Sequence, residues 1–173
     1  MPVDFINGGF ETGDFTGWIE TDPSNVLTVS TTGPRTGTYD ARFLTGSADI
    51  REASFRQTIT DVRLKGKHVA VDVWTWQVTY FAGGAGSYWE VTLADDKGNS
   101  VTTGHLAGVP PEAYINRLLE LDIADNANSI TLTVHWYKSG GGRIYDVRVD
   151  DIHLELTGGV MAGLTPALLE VLG

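Results

Sequence analysis

The run Ile130-Thr131-Leu132-Thr133-Val134-His135-Trp136-Tyr137 alternates apolar and polar residues without a break. Such alternation suits an extended strand, because successive side chains of a strand point to opposite faces. Ile130, Leu132, Val134 and Trp136 are expected to face a core, and Thr131, Thr133, His135 and Tyr137 to face outward. Similar short β-branched and aromatic runs occur at Val26–Thr31, Tyr39–Leu44, Ser54–Ile59, His68–Thr79, Ser87–Ala94, Leu118–Ile123 and Arg143–Leu156. Gly, Asn and Asp separate them, and Asp95-Asp96-Lys97-Gly98-Asn99 carries a hairpin turn signal. No stretch before Val160 keeps a helical period. The expected fold class is therefore all-β: a β-sandwich or jelly roll of eight or more antiparallel strands.

After Leu156 the character changes. Thr157-Gly158-Gly159 punctuates the last strand, and Val160–Gly173 is apolar with Glu170 as its one charge. The expected division is a jelly roll over 1–157 and a C-terminal arm or short helix over 158–173. Thr165 and Pro166 are suited to the start of such a helix. A helix of about seven residues is not stable alone. Leu164, Leu168, Leu169 and Leu172 therefore need a surface, either their own domain or a neighbouring subunit.

Charge and composition narrow the functional classes. The formal net charge of −10 disfavours nucleic acid, which needs clustered Lys and Arg to displace counterions. No apolar run approaches the roughly 18 residues of a membrane span, so no membrane partner is expected. There is no cysteine, hence no disulfide scaffold. The opening Met1-Pro2-Val3-Asp4-Phe5-Ile6 lacks the basic and apolar regions of a secretion signal. The glycine-rich segments 82–86 and 139–142 read as loop tips, since neither ends in a phosphate-cradling Gly-Lys-Ser/Thr.

Four separated motifs resemble the carbohydrate-binding modules of families four, nine and twenty-two. They are Asn7-Gly8-Gly9-Phe10-Glu11-Thr12-Gly13-Asp14-Phe15-Thr16-Gly17-Trp18, then Arg35-Thr36-Gly37-Thr38-Tyr39-Asp40-Ala41, then the pair Phe55–Ile59 and Gly66–Trp74, and last Val149-Asp150-Asp151-Ile152-His153-Leu154. The resemblance spans roughly Asp4 to Leu156 and implies a galactose-binding-like jelly roll. It also implies a structural Ca²⁺ held by Glu11 and Asp151, with the backbone carbonyls of Gly9 and Tyr39. Such an ion takes several oxygen ligands and would staple the two chain ends. Asp150 is expected on the opposite face, in solvent.

Sugar sites stack aromatic rings on pyranose faces and add polar groups for the hydroxyls. The candidates are Trp76, Gln77, Tyr80, Phe81, Tyr88, Trp89, His135 and Tyr137, whereas Trp18, Trp74 and Trp136 are expected in the core. Catalysis is not expected. Asp95-Asp96 belongs to a turn, His68, His105, His135 and His153 form no metal-type pair, and neither Ser54 nor Ser87 lies in a nucleophile elbow. Two readings remain open. One is a virion accessory protein, a capsid decoration or tail component of a bacteriophage, made in the host cytoplasm and homo-oligomeric, for instance trimeric. The other is an extracellular glycan-binding module of a polysaccharide-degrading system.

Overall fold

The computed structural model describes residues 3–46, 50–79, 86–106, 113–139 and 145–157. Ten strands follow in order: β1 (Ile19–Thr21), β2 (Leu27–Ser30), β3 (Asp40–Thr45), β4 (Ile50–Thr60), β5 (His68–Gln77), β6 (Tyr88–Asp95), β7 (Ser100–Thr102), β8 (Ile115–Asp122), β9 (Ser129–Ser139) and β10 (Tyr145–Thr157). They form two antiparallel five-stranded sheets. The first has the order β1-β4-β9-β6-β7 and the second β2-β3-β10-β5-β8. From β3 to β6, and again from β8 to β10, each connection crosses between sheets, which closes the jelly roll. The eight expected runs all became strands. β1 and β7 were not foreseen, and at three residues each they are too short to show alternation.

Alternation decides what lies between the sheets. The first sheet turns Phe55, Trp89, Val91, Leu93, Ile130, Leu132, Val134 and Trp136 inward, and the second turns in Ala41, Phe43, Val69, Val71, Val73, Val147 and Val149. Phe43 and Trp136 stack across the interface with ring centroids 5.6 Å apart. The expected facing of β9 holds from Ile130 to Tyr137.

One end of the sandwich is plugged by the loop 5–18. Phe10, Phe15 and Trp18 pack around Phe55 with centroids 5.0 to 5.6 Å away. The loop is held open by Asn7, whose amide donates to the carbonyls of Asp14 and Thr16 and accepts from the Thr12 N–H. Gly8 must lack a side chain, because a Cβ there would overlap the Ile152 carbonyl oxygen. Its own carbonyl accepts from Ile152 N at 3.0 Å, tying the loop to β10. The hairpin at Asp95–Asn99 is also as expected. The Asp95 carboxylate accepts from the N–H groups of Lys97 and Asn99, and Gly98 supplies the positive φ of 101°.

Candidate functional site

On the outer face of the first sheet, three of the sequence candidates meet. Ser54, His135 and Glu90 are directly opposed across β4, β9 and β6, and Glu52, Tyr137 and Tyr88 form the next row. Tyr88 lies 5.6 Å from Tyr137 and 5.8 Å from His135, centroid to centroid. From the segment after β7, His105 reaches over and stacks on Tyr88 at 3.7 Å, with ring planes 14° apart. His135 is bracketed by acids, Nε2 being 2.9 Å from Glu52 and Nδ1 3.6 Å from Glu90. Burial, and then the charges of Glu90 and Glu52, push the Tyr88 phenol above its ordinary range. The result is a half-exposed patch of aromatic rings edged by carboxylates and imidazoles on a rigid sheet.

The remaining candidates lie elsewhere. Trp89 is a core residue, 1% exposed, because it shares the inward face of β6 with Val91 and Leu93. Adjacent strand residues face opposite ways, so Tyr88 and Trp89 cannot both face solvent. Gln77 is also inside, accepting from Trp89 Nε1 and donating to the Thr79 carbonyl. Trp76 faces outward, but from the second sheet, where the Arg148 guanidinium lies 5.6 Å over its ring and Tyr114 packs 5.7 Å away. Trp74, expected in the core, is outward too. Val69, Val71 and Val73 take the inward positions of β5, and Arg35 covers the Trp74 ring at 3.6 Å. Tyr80, Phe81, Leu164, Leu168, Leu169 and Leu172 lie outside the described residues.

The outer face of the second sheet is covered only in part: Leu118 and Glu120 of β8 are exposed, whereas the region around β10 is closed over. Asp40, Asp146 and Arg148 are on that face yet buried. Arg148 pairs with Asp40 at 3.1 Å, and Arg42 grips Asp146 through two bonds of 2.9 and 2.7 Å. The Tyr114 hydroxyl lies against Asp40 Oδ2 and the Gly33 carbonyl. Gly33 lets the loop close, since a Cβ there would come 2.9 Å from an Arg148 nitrogen.

Of the implied calcium ligands, Glu11 and Asp151 both come near Gly9. A Cβ placed on Gly9 would be 3.6 Å from Asp151 Oδ1, 3.7 Å from Glu11 Cγ and 3.8 Å from Asp150 Oδ1. Glu11 accepts from Thr38 N and Tyr39 N, and Asp151 from the Thr36 hydroxyl and the Arg35 guanidinium. Asp150 is buried rather than solvated. A bulge between Asp150 and His153, with Asp151 at a φ of 46°, turns both carboxylates toward the chain's other end. Asp150 accepts from the N–H groups of Arg35, Thr36 and Asp151. Burial first, and the Asp151 charge second, raise its carboxyl to about 6. Among the described residues no three acidic, His or Cys side chains form a metal cage by themselves. Two carboxylates and two carbonyls nevertheless suit calcium in type, and the local charge is one a cation would relieve.

No family model matches the chain, and no curated protein matches its sequence. Solved structures do match in shape. TmCBM61, determined in complex with β-1,4-galactotriose, is 19% identical at a TM-score of 0.64, over 89% of this chain and 99% of that one. Modules of families 16 and 22 match as well. The chain is a carbohydrate-binding-module-like jelly roll. The same fold occurs in bacteriophage CBA120 tailspike protein 4, at 14% identity and TM-score 0.60, covering 90% of this chain and 22% of that one. It occurs also in the Stig cyclase Fisc from Fischerella sp., at 15% identity and TM-score 0.59, over 91% and 98% of the two chains. Three functions on one scaffold leave the site to decide among them.

The exposed patch also contains residues that the sequence pattern does not single out. Glu90 was legible, because it follows Tyr88 by two on a strand. Glu52 was not, since the expected strand began only at Ser54 while β4 starts at Ile50. His105 lies in an irregular segment and carried no signal at all.

Proposed function

We propose that this domain is a non-catalytic glycan-binding module whose ligand lies on the outer face of the first sheet. The observation that carries this is the grouping of Tyr88, Tyr137 and His135 with Glu52 and Glu90 on adjacent strands. Aromatic faces offer stacking to pyranose rings, and the carboxylates accept from hydroxyls. Trp76 stands apart from this group, on the other sheet, beside Arg148 and Tyr114. The module's likeness to proteins named for carbohydrate binding, one of them holding a galactotriose, supports the same reading. Affinity gels with soluble galactan and xylan test it. Tyr137→Ala is expected to weaken retention roughly tenfold, about 1.4 kcal/mol, with the melting curve kept. Equal retention of wild type and variant, or none of either, overturns it.

A second reading is a virion accessory part, favoured by the likeness to the tailspike. On it the chain self-associates and joins a capsid or tail, and no polysaccharide retards it. Light scattering on the full chain and on a version ending at Gly158 separates the two, because the assembly reading requires an oligomer that the truncation dissolves. Localisation follows from the outcome: extracellular for the first reading, virion for the second.

A structural calcium ion held by Glu11, Asp151 and the carbonyls of Gly9 and Tyr39 is proposed alongside either role. Excess chelator added to calcium-loaded protein is then expected to lower the melting temperature, and an unchanged curve counts against the ion.

A further inference from the structure

We infer that His105 is a cover on the binding face, held over Tyr88 when its imidazole is protonated and released when it is neutral, so that glycan capture is suppressed in acid. The inference rests on the glycan-binding reading above. His105 belongs to no strand and comes to the sheet from the segment after β7, anchored beside it by the Leu106–Trp89 bridge. Its ring lies flat on Tyr88, 3.7 Å away, and so covers a face of the phenol that a pyranose would need. The remaining approaches to Tyr88 are flanked by His135 and Tyr137. A sugar stacking on Tyr88 must therefore displace His105. The His105 side chain is 64% exposed, so little burial opposes its leaving.

What holds it depends on charge. The groups facing it are Tyr88 and Glu90 from β6, with His135 and Tyr137 of β9 and Glu52 of β4 around them. An imidazolium is attracted to a phenol face and to a carboxylate, and a neutral imidazole keeps only the weaker ring contact. Glu90 lies 3.7 Å from His105 Nε2. His135 acts in the same sense. Neutral, it has one N–H to share between Glu52 and Glu90; protonated, it donates toward both and tightens the patch. Imidazole is the ordinary side chain whose charge changes between pH 5 and 8.

The experiment compares wild type, His105→Ala, Tyr88→Ala and Tyr137→Ala on galactan and xylan gels at pH 5.5 and 7.5. Wild type is expected to bind about five- to tenfold more weakly at pH 5.5, the loss set by one exposed cation–ring contact and one exposed ion pair. His105→Ala is expected to lose that difference and bind equally at both values. If His105→Ala keeps the wild-type pH profile, or binds more weakly than wild type at pH 7.5, the cover is refuted while the glycan reading stands. If Tyr88→Ala and Tyr137→Ala bind as wild type does, the glycan site lies elsewhere and both fail. Proton NMR of the His105 ring gives a readout without ligand: the upfield shift from the Tyr88 ring current is expected at pH 5.5 and lost at pH 7.5. An unchanged shift overturns the cover.

Discussion

Replacing Arg148 by methionine isolates the charge chemistry under the second sheet's loops. The methionine keeps much of the stem that packs beside Trp76 and removes the guanidinium that lies 3.1 Å from Asp40. Asp146 keeps its two bonds from Arg42, so the carboxylate that loses its nearest counter-charge is Asp40, which is fully buried. It retains the Tyr114 hydroxyl at 2.9 Å. Removing one partner of a buried ion pair costs about 3–5 kcal/mol, whereas replacing both is often close to neutral. With a urea dependence of roughly 2 kcal/mol per molar, Arg148→Met is expected to move the unfolding midpoint down by about 2 M at pH 8. The double variant Asp40→Asn/Arg148→Met is expected to recover most of that, since Asn still accepts from Tyr114. Protonation adds a further test. Burial already raises the Asp40 carboxyl above its ordinary value, and Arg148 is among the groups that pull it back down. Without Arg148 it rises further, so the folded variant takes up a proton more readily than the unfolded chain as pH falls. The deficit of Arg148→Met against wild type must therefore be smaller at pH 5 than at pH 8. A single variant costing under about 1 kcal/mol means the pair is not desolvated. A double variant as weak as the single means that the loss is one of packing.

Trp89→Ala is expected to cost about 3–5 kcal/mol in urea unfolding, and Trp76→Ala distinctly less; the reverse order would place Trp89 outside the core. Gly8→Ala forces a Cβ into the Ile152 carbonyl and is expected to lower the melting temperature by several degrees, and an unchanged value contradicts the packing of loop 5–18 on β10. With chelator present, Asp150 contributes instability that grows as pH rises from near 4 to about 6, reaching about 3 kcal/mol from a shift of 3.8 to about 6. Urea melts of wild type and Asp150→Asn across that range are expected to diverge, and parallel curves refute it.

The alternation in β9 was legible because every second residue was apolar and the segment was long. The same rule separates Tyr88 from Trp89 and puts Trp74 opposite Val73, so at these two indoles position on the strand, not residue type, decides burial. Asp150 was harder. Its facing depends on the bulge at Asp151, and a left-handed non-glycine residue inside a strand leaves no pattern in the sequence. Most of the binding face was hidden for a different reason. It is assembled from β4, β6, β9 and the segment after β7, with Glu52 and His105 more than fifty residues apart, and nothing local links them.

The Gly8–Ile152 bond has a temporal side. β10 occupies the middle of its sheet, between β3 and β5, and its backbone also anchors the loop that plugs one end of the sandwich. During synthesis, β2–β3 and β5–β8 can pair only as separate halves until residues 145–157 have emerged. Contacts of such long sequence separation are slow to form. The domain is therefore expected to acquire protease resistance late and in one step, with nascent chains stalled before Tyr145 remaining open along both inner strand edges.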